Sequence, residues 1–216
     1  MKKYRYTVFD LDGTLLDTAE DLADSVNFGL SQLSMPLRSL EEIKLFVGNG
    51  VANLIQRAVP EHTGDDEYNK VFSLFREHYA KNMSNKTAPF PGILEVLRKL
   101  RDLNVGVCIA SNKYQRGVEE LCVQFFPGLY TAALGEREGI KRKPDPSIVI
   151  TAMEEMGSDR DNTLYIGDSE VDGQTAANAG ISFVGVSWGL RPAQLLYESG
   201  AIAVVDTAEQ LLGYFL

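Results

Sequence analysis

The sequence predicts an α/β protein with a doubly wound parallel sheet and an inserted all-α helical domain. Short apolar runs alternate with amphipathic helical patterns over most of the chain. One long segment with no convincing strand pattern interrupts this alternation. Several apolar runs are followed directly by polar residues, an arrangement typical of the carboxyl edge of a parallel sheet.

Six apolar runs are short, continuous and rich in β-branched or aromatic residues, which favours strands buried on both faces. The predicted strands are Tyr6–Leu11, Val105–Ala110, Thr131–Leu134, Thr163–Ile166, Ser182–Val186 and a weaker Ala203–Val205. Helices are predicted between them at Gly92–Leu103, Tyr114–Phe125, Pro146–Met156 and Asp172–Ala179. The face of the first helix that packs on the sheet is predicted to hold Leu94, Leu97, Leu100 and Arg101.

From about Leu15 to Pro89 the pattern is helical throughout, and no strand is expected there. The helices predicted in this segment are Glu20–Leu33, Val51–Val59 and Asp66–Met83. A connection of this length between two strands is far longer than a usual crossover, so it should fold as its own domain. The predicted domains are therefore a core of residues 1–14 and 90–216 and a helical insertion of residues 15–89.

The composition is that of an ordinary globular protein, with 44% hydrophobic and 24% charged residues. A net charge of −9 repels nucleic acids and anionic membrane surfaces, so neither is an expected partner. A long apolar run and a signal-peptide pattern are both missing, so a cytoplasmic location is expected. Cys108 and Cys122 lie in apolar patterns and are expected to be buried, reduced thiols.

Three of the predicted strands end directly in polar, reactive residues. The three clusters are Asp10-Leu11-Asp12-Gly13-Thr14, Ser111-Asn112-Lys113, and Gly167-Asp168-Ser169 with Asp172 shortly after it. Ligands bind beyond the carboxyl ends of the strands in an open parallel sheet, so we expect the clusters to share one site.

Such a site would bring together the carboxylates of Asp10, Asp12, Asp168 and Asp172. Close like charges cannot all ionise without compensation, which a divalent cation would supply. Carboxylate oxygens favour Mg²⁺, whereas zinc sites use the His and Cys ligands that these clusters lack. Lys143 is a candidate for further positive charge, although its neighbours Lys141 and Arg142 leave a solvated charge run as an alternative.

The two aspartates of the first cluster suggest a division of roles. A metal-held carboxylate is a competent nucleophile toward phosphorus and would form an aspartyl-phosphate. A second carboxyl group can donate a proton to the leaving oxygen and then accept one from water. Gly13 permits a close backbone approach, so amide N–H groups near it are expected to face phosphate oxygens.

The clusters, taken with Lys143-Pro144, resemble the four ordered motifs of the haloacid dehalogenase superfamily. The resemblance covers nearly the whole chain, because the helical insertion lies where that superfamily carries a helical cap domain. Within the superfamily, the sequence is similar to the phosphoglycolate phosphatase-like group. The segments that carry this narrower similarity are Phe46-Val47-Gly48-Asn49-Gly50 and Ser111-Asn112-Lys113.

The resemblance implies a role for each motif residue. It implies three catalytic residues: Asp10 as nucleophile, Asp12 as general acid and base, and Lys143. It implies a Mg²⁺ site formed by Asp10, the backbone carbonyl of Asp12, and Asp168, with Asp172 as an outer partner or weaker ligand. It implies a phosphoryl site formed by Ser111, the backbone of Asn112, and Lys143. From the residues alone, Ser111 and Asp172 are also suited to a simpler role at a helix start.

The expected function is hydrolysis of a small phosphorylated metabolite, with 2-phosphoglycolate as the first choice. Gly48, Asn49, Gly50 and Arg57 are weaker candidates for contacts to the non-phosphate end of the substrate, because turn glycines are common. A β-phosphoglucomutase-type phosphomutase, a pyrophosphatase, and a sugar- or nucleotide-phosphate phosphatase remain alternatives. So does a binding protein without turnover. A monomer or a homodimer is expected.

Overall fold

The computed structural model describes residues 4–216, so residues 1–3 of the predicted core lie outside the described part. The strands are β1 (Tyr6–Phe9), β2 (Leu16–Asp17), β3 (Ala88–Pro89), β4 (Gly106–Tyr114), β5 (Ala132–Glu136), β6 (Thr163–Gly167), β7 (Ser182–Val186) and β8 (Ala203–Val205). The helices are α1 (Ala19–Gln32), α2 (Leu40–Phe46), α3 (Gly50–Ala58), α4 (Asp65–Asn82), α5 (Ile93–Asp102), α6 (Gln115–Phe125), α7 (Ser147–Met156), α8 (Glu170–Ala179) and α9 (Ala193–Glu198). A 3₁₀ helix follows at Ala208–Tyr214.

The chain divides into two compact units. One is formed by the chain up to Leu16 together with Pro89–Leu216, and the other by Asp17–Ala88. Where the chain passes from one unit to the other, β2 and β3 pair as a two-stranded sheet. The expectation of no strand between Leu15 and Pro89 is wrong at these two ends. Two-residue strands are too short to produce a periodic pattern.

The first unit contains a six-stranded sheet in the order β5-β4-β1-β6-β7-β8, and every neighbouring pair is parallel. Strand order reverses beside β1, so the sheet is doubly wound and the predicted fold class is confirmed. Val8 is aligned with Cys108 and Tyr165 across the centre, and all three side chains are fully buried. Helices pack against these central strands, which accounts for the apolar residues in the middle of each strand.

The buried face of helix α5 differs from the predicted one. Its buried side chains are Ile93, Val96, Leu97 and Leu100, whereas Leu94 is half-buried and Arg101 is exposed. The buried set follows the i, i+3, i+4, i+7 spacing from Ile93, which lies one residue before the predicted start of the stripe. The helix was predicted correctly, and Leu97 and Leu100 of its predicted face are buried, whereas Leu94 and Arg101 lie outside the buried face.

The second unit consists of α1 to α4, and α1 packs along α4. Gly29 permits a close approach, since a Cβ there would stand 3.0 Å from the Val71 carbonyl oxygen. Helix α2, which was not predicted, begins with a capping box in which Ser39 and Glu42 bond each other's backbone N–H. No helix among residues 4–216 is both long enough and apolar enough to cross a membrane.

Both cysteines are buried free thiols, as expected from their apolar surroundings. Burial raises the pKa of Cys122 to about 12 and that of Cys108 further still. Both side chains therefore stay protonated at neutral pH and serve as small core residues.

Candidate active site

Two strands and one helix of the core unit bring three aspartates together. Asp10 directly follows β1, and Asp168 directly follows β6. Asp172 lies in the first turn of α8, and one carboxylate oxygen from each of these three residues lies within 4.8 Å of the others. All three carboxylates are buried. The topology alone brings them together, because parallel strands present their carboxyl ends at one edge.

Asp12 makes different contacts from the other three aspartates. Its Oδ1 lies 2.8 Å from the ammonium of Lys113, and the hydroxyl of Ser111 donates to its Oδ2 at 3.2 Å. Both partners come from the end of β4, which continues to Tyr114 rather than ending at Ala110 as predicted. Its register shifts between these two residues, so the end of the strand is irregular. The site thus has one carboxylate group of three and a separate Asp12.

Lys143 pairs with two carboxylates of the group formed by Asp10, Asp168 and Asp172. Its Nζ is 2.7 Å from both Asp10 Oδ1 and Asp172 Oδ1, and it donates to the Tyr165 hydroxyl at 3.1 Å. That hydroxyl donates in turn to Asp172 Oδ1 at 3.0 Å. Lys143 is buried, whereas the side chain of Lys141 is 80% exposed. The alternative of a solvated charge run therefore holds for Lys141 and not for Lys143.

The side chain of Asn112 holds the backbone of Lys143 in place. The Lys143 N–H donates to Asn112 Oδ1 at 2.8 Å, and Asn112 Nδ2 donates to the Lys143 carbonyl at 3.1 Å. The amide thus binds both backbone groups of one residue in a buried setting, where such bonds are not weakened by water. Sequence reasoning gave Asn112 a role through its backbone, and the structure adds this role for its side chain.

Asp168 is fixed by two donors, one on each oxygen. The Thr14 hydroxyl donates to Oδ1 at 3.0 Å and the Leu190 N–H donates to Oδ2 at 2.7 Å. Two glycines make room for the carboxylate, since a Cβ at Gly13 or at Gly189 would lie within 2.5 Å of an Asp168 side-chain atom. The N–H of Gly13 donates to the Leu16 carbonyl at 2.9 Å. Gly13 therefore serves a turn here, and its own N–H is engaged within that turn.

Asp172 makes two kinds of contact, one at the start of α8 and one with Lys143. Its Oδ2 accepts hydrogen bonds from the N–H and the hydroxyl of Ser169, which forms a capping box at the start of α8. Its Oδ1 faces Lys143. The helix cap thus fixes the carboxylate that points into the group of three.

Burial dominates the electrostatics of the site. Burial raises the pKa of Asp10 well above its ordinary value, with Asp172 and Asp168 adding to the shift and Lys143 opposing it. Burial and the neighbouring Asp172 raise the pKa of Asp168 to about 7, although the Leu190 N–H and the Thr14 hydroxyl oppose the shift. Burial lowers the pKa of Lys143, but the attraction of Asp10 and Asp172 outweighs it, and the net shift is upward.

The residues of the group fit a divalent cation. The three carboxylates lie close together, and Lys143 pairs with two of them, Asp10 and Asp172, so the ionised group carries excess negative charge in a buried setting, which is unfavourable without a further cation. The donors are all carboxylate oxygens, the ligand type that suits Mg²⁺. Asp10 and Asp168 belong to the group, as the predicted ligand set requires.

The sequence patterns predicted no role for several residues of the site. They are Thr14, Lys113, Tyr165, Gly189 and Leu190. Gly189 and Leu190 lie in the segment after β7, the one central strand after which no site residue was predicted. Its parallel pairing with β6 places it at the same edge, so the topology would have identified this segment. Tyr165 gave no signal, because its hydroxyl lies within an apolar strand pattern.

The weaker candidates lie in the helical unit. Asn49 precedes α3, and the flanking Gly48 and Gly50 have φ of 121° and 81°. Their positive φ angles agree with a helix-entry turn. Arg57 Nη1 donates to the Leu45 and Phe46 carbonyls at 3.5 and 3.4 Å. These are terminal carbonyls of α2, so Arg57 caps that helix.

Comparison with known proteins places this site in a family. The profile of the haloacid dehalogenase-like hydrolases matches residues 7–186. A phosphoglycolate phosphatase of Pseudomonas savastanoi pv. phaseolicola is 32% identical over 214 residues, or 96% of this chain and 78% of that relative. A phosphoglycolate phosphatase of Mesorhizobium japonicum is also 32% identical, over 95% of each chain.

Solved structures agree with the sequence relatives. A crystal structure from Lactobacillus delbrueckii subsp. bulgaricus, provisionally assigned as a phosphoglycolate phosphatase, has a TM-score of 0.94. It is 37% identical and covers 99% of both chains. The chain belongs to the haloacid dehalogenase-like hydrolase family. The predicted family is confirmed, and the predicted phosphoric monoester hydrolase agrees with the phosphatases named here.

Proposed function

We propose that this hydrolase is a Mg²⁺-dependent phosphatase of small phosphorylated metabolites, with 2-phosphoglycolate as the first substrate to test. The observation that carries the proposal is the buried contact of Asp10 with Lys143, 2.7 Å apart, inside a group of three carboxylates. A nucleophilic carboxylate, a fixed ammonium and a cation site are thus within reach of one phosphoryl group. The phosphoglycolate phosphatases described above support the choice of substrate.

In the first step of the proposed reaction, an Asp10 oxygen forms a bond to phosphorus while the bond from phosphorus to the leaving oxygen breaks. Asp12 gives its carboxyl proton to that oxygen. In the second step, a water oxygen forms a bond to phosphorus while the bond from phosphorus to the Asp10 oxygen breaks, so inorganic phosphate leaves, the Asp10 carboxylate is restored and the water's proton passes to Asp12. Lys143, Ser111 and the backbone of Asn112 bind the phosphoryl oxygens.

Asp10, the Asp12 backbone carbonyl and Asp168 would hold the Mg²⁺ ion. The bound cation would supply the remaining positive charge, which lets the Asp10 carboxylate and the phosphate, both anions, approach each other. Asp172 is proposed as an outer partner, because its oxygens are already engaged by Lys143 and Ser169. Residues 15–89 are proposed as the cap domain of this enzyme. The cytoplasmic location, the exclusion of nucleic acid and membrane partners, and the monomer or homodimer remain predictions.

The proposal is tested by measuring phosphate release from a panel of phosphorylated metabolites and p-nitrophenyl phosphate. We expect release in the presence of Mg²⁺, a fall of at least about 100-fold with EDTA, and recovery when Mg²⁺ is restored. The highest kcat/KM is expected for 2-phosphoglycolate. Conversion of a sugar phosphate to an isomer without phosphate release would support a phosphomutase instead. Equal activity in EDTA and in Mg²⁺ would contradict the metal-dependent mechanism.

The Gly48-Asn49-Gly50 turn and Arg57 are proposed to contact the non-phosphate end of the substrate. If they do, Arg57→Ala raises KM for 2-phosphoglycolate by about tenfold, since one charge-assisted hydrogen bond is lost. The KM for p-nitrophenyl phosphate, which has no carboxylate, is expected to stay within about twofold. An unchanged KM for 2-phosphoglycolate, with a lower melting temperature, would leave Arg57 only its cap of α2.

A further inference from the structure

A second buried lysine lies at this site, separate from the contacts of Lys143. Lys113 is 6% exposed, and its Nζ lies 2.8 Å from Asp12 Oδ1. The side chain of Asp12 is itself only 13% exposed. The two aspartates of the first motif therefore face different lysines: Asp10 faces Lys143, and Asp12 faces Lys113.

The contact between Lys113 and Asp12 is part of a closed arrangement. Ser111 accepts a hydrogen bond from the Lys113 N–H at 3.1 Å and donates its hydroxyl to Asp12 Oδ2 at 3.2 Å. One oxygen of Asp12 is thus bound by an ammonium and the other by a hydroxyl. Two contacts to different oxygens fix the plane of a carboxyl group, whereas one contact would let it rotate.

The backbone of Lys113 lies in close contact with the neighbouring strand β5. A Cβ on Gly135 of β5 would stand 2.7 Å from the Lys113 carbonyl oxygen, so the two strands are in close contact here. Gly135 in turn donates its N–H to the side chain of Gln115, at the start of α6. The side chain of Lys113 therefore extends to Asp12 from a closely packed strand end. A residue that orients a reactive group requires such a backbone position.

We propose that Lys113 is a positioning residue for the acid and base step, and that it acts through Asp12. It aims the Asp12 carboxyl group at the oxygen that leaves phosphorus, and it takes up no proton and binds no phosphate itself. This inference rests on the proposed function, in which Asp12 protonates the leaving group. It predicts that loss of Lys113 harms the reaction most where the leaving group needs a proton.

The test uses two substrates, the best alkyl phosphate of the panel and p-nitrophenyl phosphate, whose nitrophenolate leaves without a proton. Single-turnover rates of the first step are compared for wild type, Lys113→Met, Asp12→Asn and the double variant. We expect Lys113→Met to slow the alkyl substrate about 100-fold and the aryl substrate less than about fivefold. In the Asp12→Asn background, Lys113→Met should cause no further loss, because the two residues act as a unit.

Other roles for Lys113 give other results. If it bound phosphate, Lys113→Met would weaken inhibition by inorganic phosphate and slow both substrates equally, and either result would overturn the proposal. So would additive losses in the double variant. If Lys113→Met does not fold because the Asp12 carboxylate is left unpaired, the Asp12→Asn variant and the double variant are compared instead. Neither of these two variants contains the Asp12 carboxylate, so their rates still test the proposal. Asp10→Asn tests the proposed function separately, since activity remaining there would contradict the nucleophile whatever Lys113 does.

Discussion

Replacing Asp10 with asparagine is expected to reduce phosphate release from every substrate by about 10⁴-fold or more, the size of loss seen when a nucleophile is removed. An amide of the same shape cannot form the aspartyl-phosphate. Stability should change little, because Lys143 keeps its partner Asp172 and one of three buried carboxylates that repel each other is removed. Denaturant unfolding and phosphate release together measure both effects.

The matched control for this change is Asp102→Asn. Asp102 is exposed at the end of α5 and pairs only at the surface with Arg101, so its loss should leave turnover and stability unchanged within error. Mass spectrometry of acid-quenched wild type should detect one added phosphoryl group, and the Asp10→Asn protein should lack it. A variant that keeps more than a tenth of the wild-type rate would show that Asp10 is not the nucleophile.

Replacing Lys143 with methionine is expected to lower both stability and turnover. The change leaves Asp10 and Asp172 buried without their ammonium, and breaking a buried ion pair in this way costs about 3–5 kcal/mol. Loss of one fixed charge next to the phosphoryl group should reduce kcat by about 10²- to 10³-fold. Urea unfolding without metal and steady-state kinetics measure the two losses.

Lys141→Met provides the control from the same loop, since the side chain of Lys141 is 80% exposed. It should change the free energy of unfolding by no more than about 0.5 kcal/mol. We also expect Mg²⁺ to recover part of the stability that Lys143→Met loses, because a cation bound by the same carboxylates replaces the missing charge. Equal stability of Lys143→Met and wild type in EDTA would contradict the buried pair.

The sequence predicted the central sheet well because its strands are buried on both faces. Ser182–Val186 and Ala203–Val205 have the predicted bounds, and a polar residue, Ser187 or Asp206, directly follows each apolar run and marks its end. The pairing of β2 with β3 was missed, because two residues carry no period and their partners lie far apart in sequence. Helix α2 was missed although Ser39 and Glu42 have the capping-box spacing.

The site was predicted less completely than the sheet. Asp10, Asp168 and Lys143 could be placed together because motif order and parallel topology imply one edge. The direction of each side chain could not, and so the separation of Asp12 from the other carboxylates was not foreseen. Bonds such as that of Asn112 with the Lys143 backbone join residues remote in sequence, and no local pattern records them.

Trp188 is the sole tryptophan of the chain, and it lies in the segment that carries Gly189 and Leu190. Its indole N–H donates to the Thr14 carbonyl at 3.1 Å, and the hydroxyl of the same threonine binds Asp168. All tryptophan fluorescence of this protein therefore comes from a residue two positions before Leu190, whose N–H binds the candidate metal ligand Asp168. Titration with Mg²⁺ should therefore be visible in the intrinsic emission spectrum, which gives an optical assay of cation binding without a label or a substrate.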